Sequence, residues 1–343
     1  MIQPTYLLAA KSSNGSAQMI RSTLIIALVF VAAFLVLFAV DLWRKRGKRD
    51  GYRLRSSVTA YLMLLPAVVL AFIFIMLPIL YSLGYAFTNF NLMRPEKTMN
   101  DFVGLANFQR AFEEIRDRGT LYHAIINTLK FVVGVVPLQI GLALGLAIFV
   151  NRPKPGVKIF KVCFFAPVVI SLSVTSYLWL SILSPSETGL LNSLIGIFGA
   201  EPHDWLRDPK TAMLWIVILS AWQGCGYQML IFLSGLTNIR SDLYEAASLD
   251  GAGAWQKFLH ITCPGLRSTF VFVLVTVFIG ACRVMIQPML MTGYQEHTVT
   301  LSYFMYYTGY RDYSVGYSSA VALLMTIIIG IITFVQRRVL KEK

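Results

Sequence analysis

The chain has 343 residues, of which 56% are hydrophobic and 14% are charged, and its mean hydropathy is +0.64. This composition excludes an ordinary soluble globular protein and indicates a polytopic membrane protein. A net charge of +13 would suit nucleic-acid binding in a soluble chain, so the positions of the charges must decide what it means.

The first 57 residues predict a membrane helix followed by a basic cytoplasmic linker. Residues 23–40 form an uncharged apolar run that is just long enough to cross a hydrocarbon core. A cleaved signal peptide is the alternative, but the basic cluster follows the run instead of preceding it. The positive-inside rule places this cluster in the cytoplasm beside anionic lipid, so we expect the amino terminus outside. The cluster consists of Arg44, Lys45, Arg46, Lys48, Arg49, Arg53 and Arg55.

Six further apolar runs predict membrane-spanning helices, which gives an all-α polytopic bundle of about seven spans. Each run is long enough to cross the bilayer, and none alternates as a membrane strand would. Most Lys and Arg residues fall in the inner loops of this topology and most Asp and Glu residues in the outer ones. The positive charge is therefore explained by topology, with the carboxyl terminus in the cytoplasm and no nucleic-acid partner. The runs cover residues 58–84, 124–150, 158–183, 211–236, 268–290 and 316–335.

The sequence contains no recognisable catalytic or metal-binding motif. It has no Gly-x-x-x-x-Gly-Lys-Ser/Thr phosphate loop, no His-Glu-x-x-His and no Gly-x-Ser-x-Gly. The four histidines are far apart and lack Cys or His partners at ligand spacing. We therefore expect a protein that is not an enzyme and binds no metal or cofactor directly. The predicted spans also lack Asp and Glu, which disfavours an ion-coupled secondary transporter or channel, the main alternative.

The stretch 241–264 carries a defined amphipathic pattern between two predicted spans. Asp242 and Glu245 are spaced like a capping box, which predicts a helix start there. Gly251 stands where a left-handed helix end would lie, and Pro264 is expected to close a second short helix. Such an element docks in a partner's groove or lies on lipid, and the scarcity of basic side chains favours the groove. One face of the second helix carries an apolar stripe: Trp255, Phe258 and Leu259.

This pattern resembles the EAA loop of the membrane subunits of binding-protein-dependent ABC importers. The family usually has Leu before the proline, where this chain has Cys263. The positions that match are Glu245, Ala246, Ala247, Gly251, Ile261 and Pro264. Further stretches resemble sugar permeases of the maltose and glycerol-phosphate type: residues 61–66, 102–108, 127–129, 189–192 and 204–205. The resemblance covers about residues 58–340, but this chain lacks a large outer insertion and has Tyr294-Gln295 where many carbohydrate permeases have Gly-Pro.

The resemblance implies a type I ABC importer transmembrane fold with one extra N-terminal helix. Its parts would be residues 1–57, a first core helix and outer loop over 58–123, and an ABC transporter type-1 domain over 124–343. In the plasma (inner) membrane the chain would form a heterodimer with a homologous permease. Two ATPase subunits would use ATP and Mg, and an extracytoplasmic solute-binding protein would deliver a sugar. A membrane-anchored assembly protein is a further alternative.

The resemblance also implies roles for individual side chains. The coupling loop 241–264 would insert into an ATPase cleft, where Glu245 would pair with a basic residue; a purely local cap is the alternative for this carboxylate. The transport path is expected near the midplane, where aromatic rings stack on sugar C–H faces and polar groups bind hydroxyls. The path candidates are Trp222, Gln223, Gly224, Tyr227, Arg283 and Gln287.

Alternatives remain for the path candidates. Glycines and a tryptophan in a membrane helix also serve close helix packing alone. Arg283 lies inside the sixth of the seven predicted spans, where an uncompensated charge is costly, so we expect it to face the cavity or to pair with an acidic group. A place on the path would suit an anionic sugar, whereas snorkelling or a partner carboxylate would explain the same residue without a solute.

Overall fold

A computed structural model describes residues 36, 39, 40, 51–93, 101–151 and 155–340. Within these residues the chain is helical, and the only β-structure is an isolated antiparallel bridge between Thr88 and Phe102. The prediction of an all-α fold is therefore confirmed. The predicted membrane helix 23–40 and most of the basic cluster lie outside the described residues.

The helices are numbered in chain order over the described residues. They are α1 (Gly51–Ala71), α2 (Leu77–Tyr85), α3 (Ala106–Arg116), α4 (Thr120–Val150), α5 (Val157–Val169), α6 (Leu172–Ile182), α7 (Leu190–Gly196), α8 (Ala212–Thr237), α9 (Ser241–Leu249), α10 (Ala254–Lys257), α11 (Cys263–Gly265), α12 (Arg267–Cys282), α13 (Ile286–Met291), α14 (Leu301–Tyr310) and α15 (Val315–Leu340). Single π-helical turns join α1 to α2 and α10 to α11: Phe72–Met76 and Phe258–Thr262.

Five of the six core spans predicted from apolar runs are confirmed as helical stretches long and apolar enough to cross a membrane. In the part of the chain that the structure describes, these stretches are Thr59–Tyr85, Thr120–Val150, Ala212–Thr237, Arg267–Met291 and Val315–Val339. Counting the bent pair α5 and α6 as one more span gives six. The total of about seven remains a prediction, because the first span lies outside the described residues.

The predicted span 158–183 is not one continuous helix. It consists of α5 and α6, whose axes are bent by 100°. The bend lies at Ile170 and Ser171, where the backbone is extended with ψ of 135° and 138°. Apolar composition does not reveal such a bend, because the residues on either side of it are predominantly apolar in both helices.

The chain forms two compact units, which are described separately. The first consists of Met1–Arg110 and Tyr307–Leu323, and the second of Ala111–Tyr306 and Leu324–Lys343. In the second unit α4 and α8 run side by side and carry most of the core. They approach closely at Gly134, where a Cβ would lie 3.1 Å from the side chain of Val217.

In the first unit, the end of α2 is held by the stretch 102–108. The Asn107 amide donates to the backbone oxygens of Ala86 and Thr88 at 3.0 and 2.8 Å, which satisfies carbonyls freed at the helix end. Gly316 packs against the same turn, since a Cβ there would lie 2.1 Å from the Thr88 oxygen. This part of the sequence pattern therefore has a structural role at the end of α2.

Candidate functional site

The predicted coupling loop folds as a two-helix knob formed by α9 and α10. Two side-chain contacts connect its first helix to the segment that follows. Lys257 Nζ donates to Ser248 Oγ at 2.6 Å, and the hydroxyls of Tyr244 and Thr262 lie 2.9 Å apart. The knob is thus held together by its own contacts.

Gly251 adopts the left-handed conformation that the sequence predicted, with φ of +77°. Two backbone bonds close the helix end in a Schellman motif: the Ala252 N–H donates to the Ala247 oxygen at 2.8 Å, and the Gly251 N–H donates to the Ser248 oxygen at 3.2 Å. A side chain at Gly251 would meet nothing within 4 Å. The glycine is therefore required by its backbone conformation and not by crowding.

Two local predictions for this loop are wrong. The residue before α9 is Arg240, which makes no side-chain cap, and Asp242 already lies in the first turn. The Asp242 carboxylate instead accepts from the Arg240 guanidinium and from the Leu243 N–H, so there is no capping box with Glu245. Pro264 does not close the element either. It lies in α11, which directly continues the π-helical turn Phe258–Thr262, and the chain continues through Leu266 into α12.

The knob exposes a mixed polar and apolar surface. Glu245 and Ala246 are exposed and Ala247 is half-buried, while Ile261 is half-buried near the base of the knob. Large apolar side chains are exposed as well: Leu249 is 90% and Trp255 68% accessible. Exposed apolar groups of this size on a defined helical element indicate a contact surface for another molecule.

A cavity of about 710 Å³ lies in the second unit, lined mainly by α4, α8, α12 and α13. Its volume falls within the range of roughly 300–1,000 Å³ for small-molecule sites. Four of the predicted path residues line it: Gln223, Gly224, Arg283 and Gln287. The structure thus brings together residues that are up to 64 positions apart in the sequence.

Two further glutamines line this cavity and were not predicted from the sequence. Gln139 of α4 donates through its Nε2 to Gln228 Oε1 of α8 at 3.0 Å, and both side chains are buried. Gly224 makes this possible, because a Cβ there would lie 2.2 Å from Gln139 Nε2. A signal was available, since a glutamine inside an apolar span is costly unless it faces a partner or a cavity.

Arg283 lies where the long span Arg267–Met291 is interrupted between α12 and α13. It is exposed, lines the cavity, and forms no ion pair with any described residue. The interruption frees the Val284 carbonyl, which accepts from Thr300 Oγ1 at 2.6 Å. Of the readings open for Arg283, the structure therefore agrees with a side chain facing the cavity. No carboxylate is found among the described residues that line this cavity.

The remaining path candidates lie elsewhere. Trp222 does not line the cavity; its ring packs against Trp179 with centroids 6.0 Å apart. Tyr227 lines a separate groove of about 520 Å³. The packing role that the sequence left open applies to Gly226, where a Cβ would lie 2.2 Å from the Phe164 oxygen of α5. The stretch around Gly224 and Gly226 therefore serves both the cavity and helix contact.

The outer-loop residues singled out by resemblance are connected through Asn192. Its Nδ2 donates to the backbone oxygens of Ser184 and His203 at 3.1 Å each, and its Oδ1 accepts from Trp205 Nε1 at 2.8 Å. Gly189 is needed nearby, since a Cβ there would lie 2.3 Å from the Ser184 oxygen. One buried amide therefore holds this loop in shape.

A short turn at the end of this loop is closed by Asp208. The Lys210 N–H donates to one of its oxygens at 2.9 Å, and His203 Nε2 lies 3.0 Å from the other. The Lys210 N–H above all, with the imidazole of His203 adding to it, lowers the pKa of the Asp208 carboxyl. The turn is therefore more stable when the Asp208 carboxyl is ionised.

In the second unit, apolar helices surround a cavity whose largely apolar wall carries several polar side chains, and an exposed helical knob lies between two spans. This arrangement is typical of a component of a membrane transport system. Residues 139–343, more than half of the chain, match the family described as binding-protein-dependent transport system inner membrane component. The chain belongs to this family. The prediction made from the EAA pattern is confirmed, and the protein is a multi-pass inner-membrane component.

Three curated relatives match over most of their length. The chain is 32% identical to the probable ABC transporter permease protein YurN of Bacillus subtilis over 84% of this chain and 97% of that protein. It is 30% identical to the arabinooligosaccharides transport system permease protein AraP of Bacillus subtilis, with 84% and 91% covered. It is 32% identical to the lactose transport system permease protein LacF of Rhizobium radiobacter, with 86% and 98% covered.

A solved structure shows the same fold. The crystal structure of a bacterial ABC transporter involved in the import of the acidic polysaccharide alginate aligns with a TM-score of 0.73. The alignment covers 86% of this chain and 99% of that chain at 22% identity. The predicted ABC importer fold is confirmed by this match.

Proposed function

We propose that this protein is the membrane-spanning permease subunit of an ATP-driven importer for an oligosaccharide or a sugar derivative. The observation that carries the proposal is the cavity of about 710 Å³, whose largely apolar wall carries four glutamines and one arginine. The names of AraP and LacF, an arabinooligosaccharide and a lactose permease, support a carbohydrate as solute.

The side chains of the cavity suit a polyhydroxylated solute. Gln139 and Gln228 use one donor and one acceptor on each other, which leaves the Gln139 oxygen and the Gln228 N–H groups for a ligand. Gln287 is buried at the cavity wall and contributes a further amide. Such fixed donors and acceptors match hydroxyl groups, which both donate and accept.

Arg283 favours a solute with an anionic group. It is the one charged residue among those that line the cavity, and it has no carboxylate partner in the described chain. Its planar guanidinium can bind a carboxylate or phosphate through two parallel hydrogen bonds. We therefore propose an acidic or phosphorylated sugar as the preferred solute.

The knob is the proposed point of energy input. The chain carries no phosphate-binding loop, so ATP and Mg would be used by two separate ATPase subunits. Each ATPase would hold one coupling loop, with Glu245 against a basic side chain and Leu249 and Trp255 in an apolar cleft. Closure of the ATPases would then move the knob and reorient the spans around the cavity. A homologous permease and an extracytoplasmic binding protein complete the proposed complex, with the amino terminus outside and the carboxyl terminus in the cytoplasm.

The solute proposal is tested by uptake into proteoliposomes that contain the complex purified from its own host. Two probes of equal length are compared, a neutral arabinotriose and a trimeric oligouronate. We expect ATP-dependent uptake of the oligouronate to fall at least tenfold in Arg283→Gln and to recover partly in Arg283→Lys. Equal uptake of the anionic probe by wild type and Arg283→Gln would exclude the anionic role, and failure to take up either probe would contradict the carbohydrate proposal.

The coupling proposal is tested by purifying the full chain in detergent and identifying what accompanies it. An ATPase with a phosphate-binding loop should co-purify with the wild type and be lost or reduced with Glu245→Ala. Asp250→Ala is the matched control, because Asp250 is an exposed acid of the same loop outside the family pattern. Absence of any ATPase from the wild-type preparation would refute the coupling role of the knob.

A further inference from the structure

The bend between α5 and α6 leaves backbone carbonyls without a helical hydrogen-bond donor. Helix α5 ends at Val169 and α6 starts at Leu172, with the axis turned by 100°. Breaking a helix inside an apolar span frees backbone carbonyls, and these need donors from the protein because lipid offers none. The Ile170 carbonyl lies at this point, whereas the Ser171 carbonyl already accepts the first helical bond of α6 from the Thr175 N–H at 3.0 Å.

A single side chain from another helix meets this demand. Gln223 of α8 donates through its Nε2 to the Ile170 oxygen at 3.0 Å and to Thr175 Oγ1 at 3.2 Å. Thr175 Oγ1 in turn donates to the Ser171 oxygen at 3.0 Å. One amide therefore satisfies the freed Ile170 carbonyl directly and also holds the Thr175 hydroxyl, which adds a second bond to the Ser171 oxygen at the start of α6.

The orientation of this amide is determined by the bend. The Ile170 oxygen can only accept, and the Thr175 proton is used on Ser171, so the nitrogen of Gln223 has to face them. Its Oε1 is left buried without a partner among the described residues. A buried unpaired acceptor is unfavourable, so the bonds to the bend outweigh the loss at the oxygen.

The bend is also part of the cavity wall. Val168 and Leu172, which flank it, line the cavity together with Gln223. Thr175 is fully buried and does not line the cavity. The position of this wall thus depends on a bond made by a residue that itself faces the cavity.

We propose that Gln223 is a positioning residue that locks the bend between α5 and α6 and thereby sets the shape of the solute cavity. Its effect on transport rests on the proposed function, whereas its effect on the bend does not. Loss of the lock frees the first turn of α6 and lets the wall at Val168 and Leu172 move, so that solutes fit less selectively.

Hydrogen–deuterium exchange of the full chain in lipid nanodiscs tests the lock. In Gln223→Leu, amides 172–176 should exchange roughly tenfold faster, as expected when a buried hydrogen bond is lost. Thr175→Val, a nearly isosteric change, should accelerate the same amides. The double variant should resemble Gln223→Leu, because both changes break one network. Gln228→Leu is the matched control, since it removes a cavity glutamine that does not touch the bend.

Uptake into the proteoliposomes described above separates positioning from direct contact with the solute. Thr175→Val and Gln223→Leu should both raise the apparent KM for uptake and bring the uptake rates of the two probes closer together. Thr175→Ser keeps the hydroxyl and should give the wild-type KM and the wild-type ratio of uptake rates. Unchanged exchange at 172–176 in both Gln223→Leu and Thr175→Val overturns the lock. Faster exchange in Thr175→Val with unchanged uptake overturns its role in shaping the cavity. Absence of uptake by the wild type contradicts the proposed function, while the exchange data still decide the lock.

Discussion

Substitution of Gly251 by alanine should loosen the knob without disturbing the spans. Gly251 has φ of +77°, and a Cβ would meet no atom within 4 Å, so the whole penalty is backbone strain. Placing an L-residue in the left-handed region costs roughly 1–2 kcal/mol. That corresponds to about a 5- to 30-fold smaller ratio of ordered to disordered knob.

The effect can be measured by hydrogen–deuterium exchange over residues 241–257 in the full chain. Amides of α9 should exchange faster by about this factor in Gly251→Ala, while those of α8 stay unchanged. Gly251→Asn should behave nearly as wild type, because asparagine tolerates the left-handed region. ATP-dependent uptake should fall in parallel with the loss of order. Wild-type exchange in Gly251→Ala would show that the Schellman turn does not need glycine, and the reasoning would fail.

Three further outcomes follow from the site. Gly224→Ala should place a methyl group against Gln139, break the glutamine pair and lower the melting temperature of the purified chain, corresponding to a loss of about 1–3 kcal/mol from an unpaired buried amide. Asn192→Leu should release the outer loop from Trp205, seen as faster proteolysis at residues 184–206 and a changed tryptophan emission. The pKa of the Asp208 carboxyl is lowered in the folded chain. The stabilisation of the loop by the ionised carboxylate is therefore fully present above the unfolded pKa and is lost as pH falls through the folded pKa. The loop should therefore be cleaved faster by a protease at strongly acidic pH than at neutral pH. In Asp208→Asn the cleavage rates at the two pH values should be the same.

Each of these outcomes has a matched control. Gly141→Ala adds a methyl group on α4 where nothing lies within 4 Å, so it should leave the melting temperature unchanged. Ser193→Ala removes one exposed bond beside Asn192 and should leave proteolysis unaffected. Asp204→Asn changes a nearby acid that contacts Arg207 instead of His203 and Lys210, so it should keep the pH dependence. A control that behaves like its test variant would contradict the corresponding assignment.

A structural feature could be predicted from the sequence when residues close to it in the chain determine it. Gly251 was predicted because a helix end in the left-handed conformation needs glycine whatever surrounds it. Long apolar runs predicted the straight spans, since the bilayer demands a minimum length. The capping box at Asp242 was wrong because Arg240, two residues earlier, competes for the same carboxylate.

Non-local features could not be predicted in the same way. The 100° bend at Ile170 depends on a donor from Gln223, more than 50 positions later in the chain. Only some of the cavity residues were predicted, because Gln139 and Gln228 lie on different helices and no spacing in the sequence indicates that they meet. Trp222 and Tyr227 were placed together by sequence proximity, but helical geometry points their rings to different surroundings.

Among the described residues, only 6% of an 18-residue apolar window within the span Thr59–Tyr85 is buried. Side chains such as Met63 and Phe74 are more than two-thirds exposed. In the bilayer, lipid tails solvate these side chains as well as another helix would. The hydrophobic effect therefore gives this span no preferred packing partner. The position of this span is therefore decided by side-chain packing and hydrogen bonds, and not by removal of apolar surface from water.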